Sequence, residues 1–427
     1  MVPVMAPWRH TSLADTVAPV HRVFSAFSRP GYAAYWAAQL GSLIGSWMQA
    51  TAASWLVYRL TDSPLALSVA ELARNAPTLV VSLWAGAVID RSNKTRLVAL
   101  TQMAAMTLAL VLAGMSLAGA LTAPMLLGAL LLIGTVQGFD LPARDALLVQ
   151  VVGRDALASA IGLSSAAFNL ARVLGPLAAA WLLAEAAASW CFLANALTFL
   201  PVLWALHRLP AASAAPAHGG SVRDGVRYLL GHPELRGIVA SVSVGASMTL
   251  SLLTLLPSYA TRTLQGGPEM YGSLLAAYGA GAIAGAVLTS ASAPEGLLLR
   301  LRTFLGVAAL AVTGLALAEG PTAALLGMAV LGSAATTFMT SGNALAQQLT
   351  DDRFRGRVLA SARFLIAGIT PLVAAIQGAI AQWYDTRIAT GAVAFALAVT
   401  TLVATKAARM TINRPGPAAP RSIPPMS

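Results

Sequence analysis

Long apolar runs separated by short polar segments dominate the chain from about residue 31 to residue 408. A helix needs ~20 predominantly apolar residues to cross a hydrocarbon core of ~30 Å. Twelve runs reach this length, and none shows the period-2 alternation of a membrane barrel strand. The predicted spans are 31–59, 64–89, 97–119, 121–142, 158–184, 187–206, 236–261, 270–292, 298–318, 321–349, 357–383 and 388–408. The pattern therefore predicts an all-α polytopic membrane protein.

The longest polar interruption divides these spans into two sets of six. The predicted domains are a tail at 1–30, a six-helix bundle at 31–206, a central cytoplasmic loop at 207–235, a second bundle at 236–408 and a tail at 409–427. The two halves share short similar segments, since "WAGAVID" at 84–90 resembles "IAGAVLT" at 283–289. Repeats of this kind are typical of transporters with a central binding site. Within the loop, 222–237 predicts a short amphipathic helix along the inner membrane surface.

Composition and charge support the membrane assignment. Of 427 residues, 57% are hydrophobic and 10% are charged, whereas soluble domains carry ~25% charged residues. The net charge of +11 arises mainly at the ends assigned to the cytoplasm, which places both termini there and argues against a nucleic-acid partner. A single cysteine, Cys191, excludes an intrachain disulfide, and the residues show no metal-ligand spacing. No metal or other cofactor is expected.

Charge is concentrated between spans 2 and 3, in "WAGAVIDRSNKTRLV" at 84–98. A positive-inside anchor explains its basic residues but not the spacing of Gly86 and Asp90. With twelve spans in two halves, this loop closely resembles the signature loop of the major facilitator superfamily. Four further segments are similar to the drug:proton antiporter-3 branch of that superfamily, which includes siderophore and macrolide exporters. These segments are 139–152, 157–183, 226–236 and 351–362.

The resemblance implies alternating access, with spans 1, 4, 7 and 10 around a cavity. It also implies a cytoplasmic latch in which Asp90 approaches the positive start of span 11, near Arg355 and Arg357. We expect Gly86 to let span 2 approach a neighbouring helix closely. The residues expected to act in gating are Gly86, Asp90, Arg91, Lys94, Arg96, Asp140, Arg144, Arg355 and Arg357, with Asp140 and Arg144 beginning the loop after span 4. Thr289 replaces the aspartate in the second half, so gating is expected to be asymmetric.

Polar side chains at helical spacing mark candidate cargo ligands in spans 1, 5, 7 and 10. For each of them, helix–helix packing is the alternative. Arg172 lies ~20 Å from the cytoplasmic end of span 5 and should face the bundle interior. It is either an anion-attracting or gating group or an arginine satisfied by helix carbonyls. The candidate substrate-binding residues are Gln39, Ser46, Gln49, Asn169, Arg172, Thr340 and Asn343.

Proton coupling normally needs a carboxylate whose pKa changes with exposure. Spans 1, 4, 7 and 10, as delimited above, contain no such residue at mid-membrane. The remaining proton-coupling candidates are Glu71 and Asp140, and for Glu71 a structural pair with Arg74 is favoured. The residues by themselves therefore weakly oppose proton antiport. Three Gly-x-x-x-Gly patterns, at 41–45, 134–138 and 281–285, indicate close helix packing.

The leading hypothesis is a monomeric transporter in a bacterial inner membrane that exports a small organic molecule, either a drug or a secreted metabolite such as a siderophore. Arg172 favours neutral or anionic cargo. An importer or uniporter is the alternative within transport, and a non-transporting scaffold is a further alternative. An enzyme is not expected, because the spans contain no nucleophile–base or metal constellation. The residues reveal neither the direction of transport nor the identity of the cargo.

Overall fold

The computed structural model describes residues 24–209, 222–290, 295–351 and 354–412, without the side chains of 82, 83, 87, 90, 154, 222–224 and 405–412. All regular structure in these ranges is helical. The long helices of the first half are α1 (Tyr32–Thr61), α2 (Pro64–Arg91), α3 (Lys94–Leu117), α4 (Ala123–Gly153), α5 (Asp155–Glu185) and α6 (Ala188–Arg208). They are followed by the short α7 (Val222–Gly231) and by α8 (Pro233–Thr254), α9 (Pro268–Ser290), α10 (Leu297–Leu317), α11 (Pro321–Gln348), α12 (Arg355–Trp383) and α13 (Thr386–Ile412).

The helices confirm the all-α polytopic membrane fold. Among the described residues, ten helices are long and apolar enough to cross a membrane. The two remaining long helices, α1 and α2, coincide with the first two predicted spans. Most of both predicted tails and the middle of the central loop lie outside the described residues.

The end of span 4 differs most from the prediction. The span was predicted to end at 142, but α4 continues to Gly153, whose φ of 72° lies in the left-handed region that favours glycine. Asp140 and Arg144 therefore lie inside a helix and do not begin a loop. Charge and Pro142 suggested a helix end, because both are uncommon in a span. In the structure the two charged side chains are one turn apart and pair with each other, so the helix can continue.

The predicted amphipathic helix is α7, and one side of it packs on the beginning of α12. Gly225 lies so close to this helix that a Cβ would come within 2.5 Å of the carbonyl oxygen of Arg357. Leu229 is buried in the same contact. In contrast, Val226 and Leu230 are 39% and 62% exposed. The protein therefore covers only part of the apolar face, and a location on the inner membrane surface stays a prediction.

Contacts divide the chain into two compact units. The described parts of Met1–Thr61 and Ala73–His218 form the first unit, and those of Asp62–Leu72 and Gly219–Ser427 form the second. The first turns of α2 thus belong to the second unit, where they pack on α12. Ser68 Oγ donates to the carbonyl oxygen of Ala374 at 2.5 Å, and Ser63 Oγ donates to Oε1 of Gln382 at 2.8 Å.

In the first unit, α2 and α4 meet at glycines. Gly134 lies against the carbonyl oxygen of Arg74, and Gly138 lies against Val81. Thr78 Oγ1 of α2 also donates a hydrogen bond to the carbonyl oxygen of Gly134, over 2.8 Å. Because a side chain at Gly134 would overlap a backbone atom, the two helices can approach this closely only with glycine there.

The second unit contains the corresponding contact between α9 and α11. Gly281 and Gly285 lie against the carbonyl oxygens of Ala329 and Ser333. Thr337 Oγ1 donates to the Gly285 carbonyl oxygen at 3.3 Å, as Thr78 does to Gly134 in the first unit. The close packing predicted from the patterns at 134–138 and 281–285 is confirmed. At 41–45 only Gly45 lies against another helix, at Asn195 of α6, and a Cβ at Gly41 would meet nothing within 4 Å.

Replacing Gly134 with alanine should destabilise the protein by about 1–3 kcal/mol, because the added methyl would push α4 away from the Arg74 carbonyl. Gly128→Ala on the same helix is the matched control, since a Cβ there meets nothing within 4 Å. That control should be neutral or slightly stabilising. Thermal unfolding of both variants in detergent measures the difference. Equal unfolding temperatures would show that the glycine contact contributes nothing.

Candidate functional site

A buried carboxylate lies inside the first unit. Asp140 of α4 is 3% exposed, and its Oδ1 accepts hydrogen bonds from Thr101 Oγ1 at 2.6 Å and Gln102 Nε2 at 2.9 Å. Its Oδ2 pairs with the guanidinium of Arg144, one turn further along α4. Two donors thus come from α3 and one from α4. Both carboxylate oxygens have partners, as a buried charge requires.

Asp140 and its partners lie several turns inside both helices. Gln102 is ~12 Å from the beginning of α3, and Asp140 is ~26 Å from the beginning of α4. The sequence-based prediction put Asp140 at the border of span 4, because the end of the span was placed too early. The expectation that span 4 has no carboxylate at mid-membrane stays a prediction.

A cavity of about 50 Å³ adjoins the pair. Helices α1, α2, α3, α4 and α6 all contribute to its wall. Its volume exceeds the ~10–15 Å³ that one water centre needs, so it has room for about three or four water molecules. Besides Asp140 and Arg144, the polar wall contains Gln49, Arg74, Gln102, Gln137 and Asn195.

Two polar atoms at this cavity have no hydrogen-bond partner among the described residues. They are Oε1 of Gln102 and Nε of Arg144, and both are buried. Leaving such an atom unsatisfied costs about 1–3 kcal/mol. Because both residues line the cavity, water inside it is the natural partner for the two atoms.

The cargo ligands predicted in α1 face the inside of the first unit. Gln49 is buried, and its Oε1 accepts a hydrogen bond from Nδ2 of Asn195 on α6 at 2.8 Å. Ser46 lines the same cavity. The amide nitrogen and oxygen of Gln39 are buried without a partner among the described residues. This placement favours the packing alternative for Gln49, and binding of cargo by the three residues stays a prediction.

The other predicted cargo ligands are more accessible. In the first unit, Asn169 is exposed and donates from Nδ2 to the Ser165 carbonyl oxygen of its own helix at 2.9 Å, and Arg172 is half-buried. In the second unit, Thr340 is exposed and Asn343 is half-buried, both on α11. A role of these four residues in binding stays a prediction.

The structure tests the predicted latch only in part. The side chain of Asp90 lies outside the described residues. Gly86 is exposed, and a Cβ there would meet nothing within 4 Å, so the expectation that it permits close helix approach is wrong. The reason is that α2 contacts α4 further towards its own beginning, opposite Gly134. Of the basic residues in the loop, Arg91 and Arg96 are exposed and Lys94 is half-buried.

At the beginning of α12, both predicted latch arginines make local contacts. Arg355 donates from Nε to the carbonyl oxygen of Gln347 at 3.0 Å. The guanidinium of Arg357 lies over the ring of Phe354, 5.3 Å from its centroid. Contact of either arginine with Asp90 stays a prediction. The same holds for a role of Glu71 in proton coupling; Glu71 is half-buried in the second unit.

The sequence-based prediction missed four residues at this site: Thr101, Gln102, Gln137 and Asn195. A signal was present, because a lone amide side chain in an otherwise apolar span needs a polar partner. That signal does not name the partner. Gln102 and Asp140 come together only through the packing of α3 on α4.

Arg144→Gln should destabilise the protein by about 3–5 kcal/mol, because it leaves the buried Asp140 carboxylate without its counter-charge. The double variant Asp140→Asn/Arg144→Gln should recover most of this loss, since a neutral pair needs no counter-charge. Thermal unfolding in detergent compares the two. A double variant no more stable than the single variant would contradict the importance of the ion pair.

Comparison with known proteins identifies a related transporter. Over 237 residues the chain is 24% identical to the staphyloferrin A transporter of Staphylococcus aureus (strain NCTC 8325 / PS 47). The match covers 54% of this chain and 59% of that relative, so it spans about three-fifths of the relative's length.

Solved structures share the fold at low sequence identity. A POT family transporter in complex with a thioalcohol-conjugated peptide gives a TM-score of 0.70 at 10% identity, covering 90% of this chain and 97% of the other. A bacterial homologue of the iron transporter ferroportin, in an inward-facing state, gives 0.67 at 16% identity, covering 93% and 99%. At these identities the likeness shows the fold alone.

The family assignment rests on nearly the full chain. The profile of the transmembrane secretion effector family matches residues 21–416, which include every long helix described above. The relative and the solved structures named above are all transporters. The chain therefore belongs to the transmembrane secretion effector family and is a membrane transporter, not an enzyme.

Proposed function

We propose that this protein exports a siderophore-like small organic molecule across a bacterial inner membrane in exchange for protons, and that Asp140 carries the proton. The buried Asp140–Arg144 pair beside a polar cavity is the observation that carries this proposal. The family description supports secretion, and the staphyloferrin A transporter supports the class of cargo. The placement of basic residues supports cytoplasmic termini.

Protonation of Asp140 would change the relative free energies of the conformations with and without the ion pair. Protonation removes the negative charge that stabilises Arg144, and removing one partner of such a buried pair costs about 3–5 kcal/mol. The protonated protein therefore favours a conformation in which the guanidinium finds water or another acceptor. The deprotonated protein favours the conformation with the ion pair. This difference between two conformations is what couples a proton to transport.

The neighbours of Asp140 determine where the proton binds. Oδ1 already accepts hydrogen bonds from Thr101 and Gln102, which stabilise the charged carboxylate at that oxygen. Oδ2 interacts with Arg144. The proton is therefore expected on Oδ2, at the moment when Arg144 moves away.

Accessible polar residues would bind the cargo. A siderophore offers oxygen ligands for iron, and carboxylate oxygens suit the paired donors of a guanidinium. Arg172 is the charged candidate in the first unit, with Asn169 one turn before it, and Thr340 and Asn343 are the candidates in the second. This arrangement favours neutral or anionic cargo over a lipophilic cation.

Alternating access also needs contacts that break during the cycle. Ser63, which immediately precedes α2, and Ser68 in its first turns form hydrogen bonds with α12. The carboxylate of Asp62 lies 3.6 Å from the guanidinium of Arg262. All three contacts are hydrogen bonds or ion pairs, so water can satisfy the same polar groups when the contacts open. We include their opening in the proposed cycle, together with the predicted latch between Asp90 and the beginning of α12.

Proton exchange can be measured in inverted membrane vesicles with an acidified lumen and a pH-sensitive dye. Iron-free staphyloferrin A should cause proton release with the unmodified protein. The variant Asp140→Asn/Arg144→Gln should lose this release yet still move labelled cargo down its gradient, because the buried charge pair is replaced by a neutral pair. Asp155→Asn is the control; its side chain is 94% exposed, and the variant should behave like the unmodified protein.

Two results would contradict the proposal. Unchanged proton release in the double variant would exclude Asp140 as the proton carrier. Transport of staphyloferrin A by the unmodified protein without any proton release would exclude antiport and leave a uniporter.

A cross-link between α2 and α12 should stop transport, because their contact has to open in each cycle. Ser63→Cys/Gln382→Cys in a Cys191→Ala background places one thiol on each side of the contact in which Ser63 Oγ now lies 2.8 Å from Gln382 Oε1. Oxidation or a short thiol bridge should reduce staphyloferrin A flux to background, and a reductant should restore it. Ser63→Cys alone is the control. Full flux in the cross-linked protein would show that this contact does not open.

A further inference from the structure

We propose that the cavity in the first unit is a water-filled path that delivers the proton to Asp140 from the side of Gln49 and Asn195. This inference rests on the proposed function, because it describes the route to the same carboxylate. Gln49, Gln102 and Asn195 would act as positioning residues that hold the water molecules in line.

The wall of the cavity is suited to water. Its volume of about 50 Å³ accommodates about three or four molecules, and a water remains in such a site when it finds two to four polar partners. Oε1 of Gln102 offers an unused acceptor, and Nε of Arg144 offers an unused donor. Gln102 is only 1% exposed, so bulk solvent does not satisfy it.

The cavity extends along the axis of the bundle. Its lining residues on α4 run from Leu130 to Arg144, which is ~21 Å along one helix face, and Asp140 lies close to one end of that stretch. Gln49 lies ~18 Å from the end of α1 at Thr61. Since α1 and α3 are separated by one antiparallel span, Thr61 and the beginning of α3 lie at opposite ends of the unit. The path therefore leads from Asp140 towards the end that topology assigns to the outside.

The hydrogen bond between Asn195 and Gln49 organises the far part of this path. Nδ2 of Asn195 donates to Oε1 of Gln49, which fixes the orientation of both amides. Oδ1 of Asn195 also accepts from Thr198 Oγ1 at 3.3 Å. Neither amide takes up a proton at ordinary pH, so their part is to orient the neighbouring water and not to carry charge.

The proton moves along the water molecules in a series of equivalent transfers, in each of which one O–H bond forms and one breaks. A hydronium at the Gln49 end gives one proton to the next water, which forms one O–H bond and breaks another, and the last water protonates Oδ2 of Asp140. Every water ends neutral, and the carboxylate becomes a carboxylic acid.

Infrared spectroscopy of the full-length protein in liposomes can test the path without cargo. Lowering the external pH should produce the C=O band of a protonated carboxyl group, and the band should be missing in Asp140→Asn/Arg144→Gln. Ala105 lines the cavity one turn from Gln102. Ala105→Leu adds an isopropyl group that fills the space, and after a rapid pH change it should slow the appearance of the band at least ~10-fold. Ala105→Ser keeps the space and adds a hydroxyl, so it should match the unmodified protein.

A second cavity-filling variant on another helix separates loss of the water path from a folding defect of Ala105→Leu. Ala50→Leu fills the cavity from α1, on another wall, and should slow the band in the same way. Thermal unfolding confirms that each variant is folded. A normal rate in both leucine variants would overturn the water path while leaving Asp140 as the proton site. If no pH-dependent band disappears in the double variant, Asp140 is not protonated and the proposed function fails together with the path.

Discussion

The ion pair between Asp140 and Arg144 constrains the whole first unit, because neither charge is stable in an apolar interior without partners. Thr101 and Gln102 have to come from α3 to saturate the carboxylate, so α3 and α4 must pack in one register. The same pair allows α4 to continue past Pro142 to Gly153, since charges that neutralise each other one turn apart do not force the helix to end. A single electrostatic requirement therefore determines a helix length, a helix contact and the location of a cavity.

Glycine contacts supply the second constraint, and they occur in both halves of the chain. A threonine hydroxyl donates to the carbonyl oxygen of a glycine in each case, Thr78 to Gly134 and Thr337 to Gly285. Gly134 lies on the fourth long helix of the first half, and Gly285 lies on the second long helix of the other. In the second half Gly332, on the fourth long helix, also lies against a backbone carbonyl oxygen, that of Tyr278. The two halves thus use the same helix pair and the same kind of hydrogen bond.

Helix α2 contributes residues to both compact units. Its first turns are bonded to α12, while the remainder contacts α4 at glycines that leave no room for a side chain. The contact with α12 is equally close, since Gly378 lies against Ser68 and the Pro64 carbonyl oxygen, and Ser68 is fully buried. Close van der Waals packing therefore holds α2 at both contacts.

The sequence by itself determined the fold class, the number of long helices, the family and the glycine contacts at 134–138 and 281–285. All of these depend on local hydrophobicity or on short patterns that a single helix carries. It did not determine that Asp140 is buried inside α4, because a charged segment with a proline resembles a loop until its partners are known. Nor did it separate Gln49, which is bonded to Asn195, from Thr340, which is accessible, although both belong to similar polar stripes. Only the tertiary structure decided these points, since burial and hydrogen bonding depend on which helix lies opposite, and no single span contains that information.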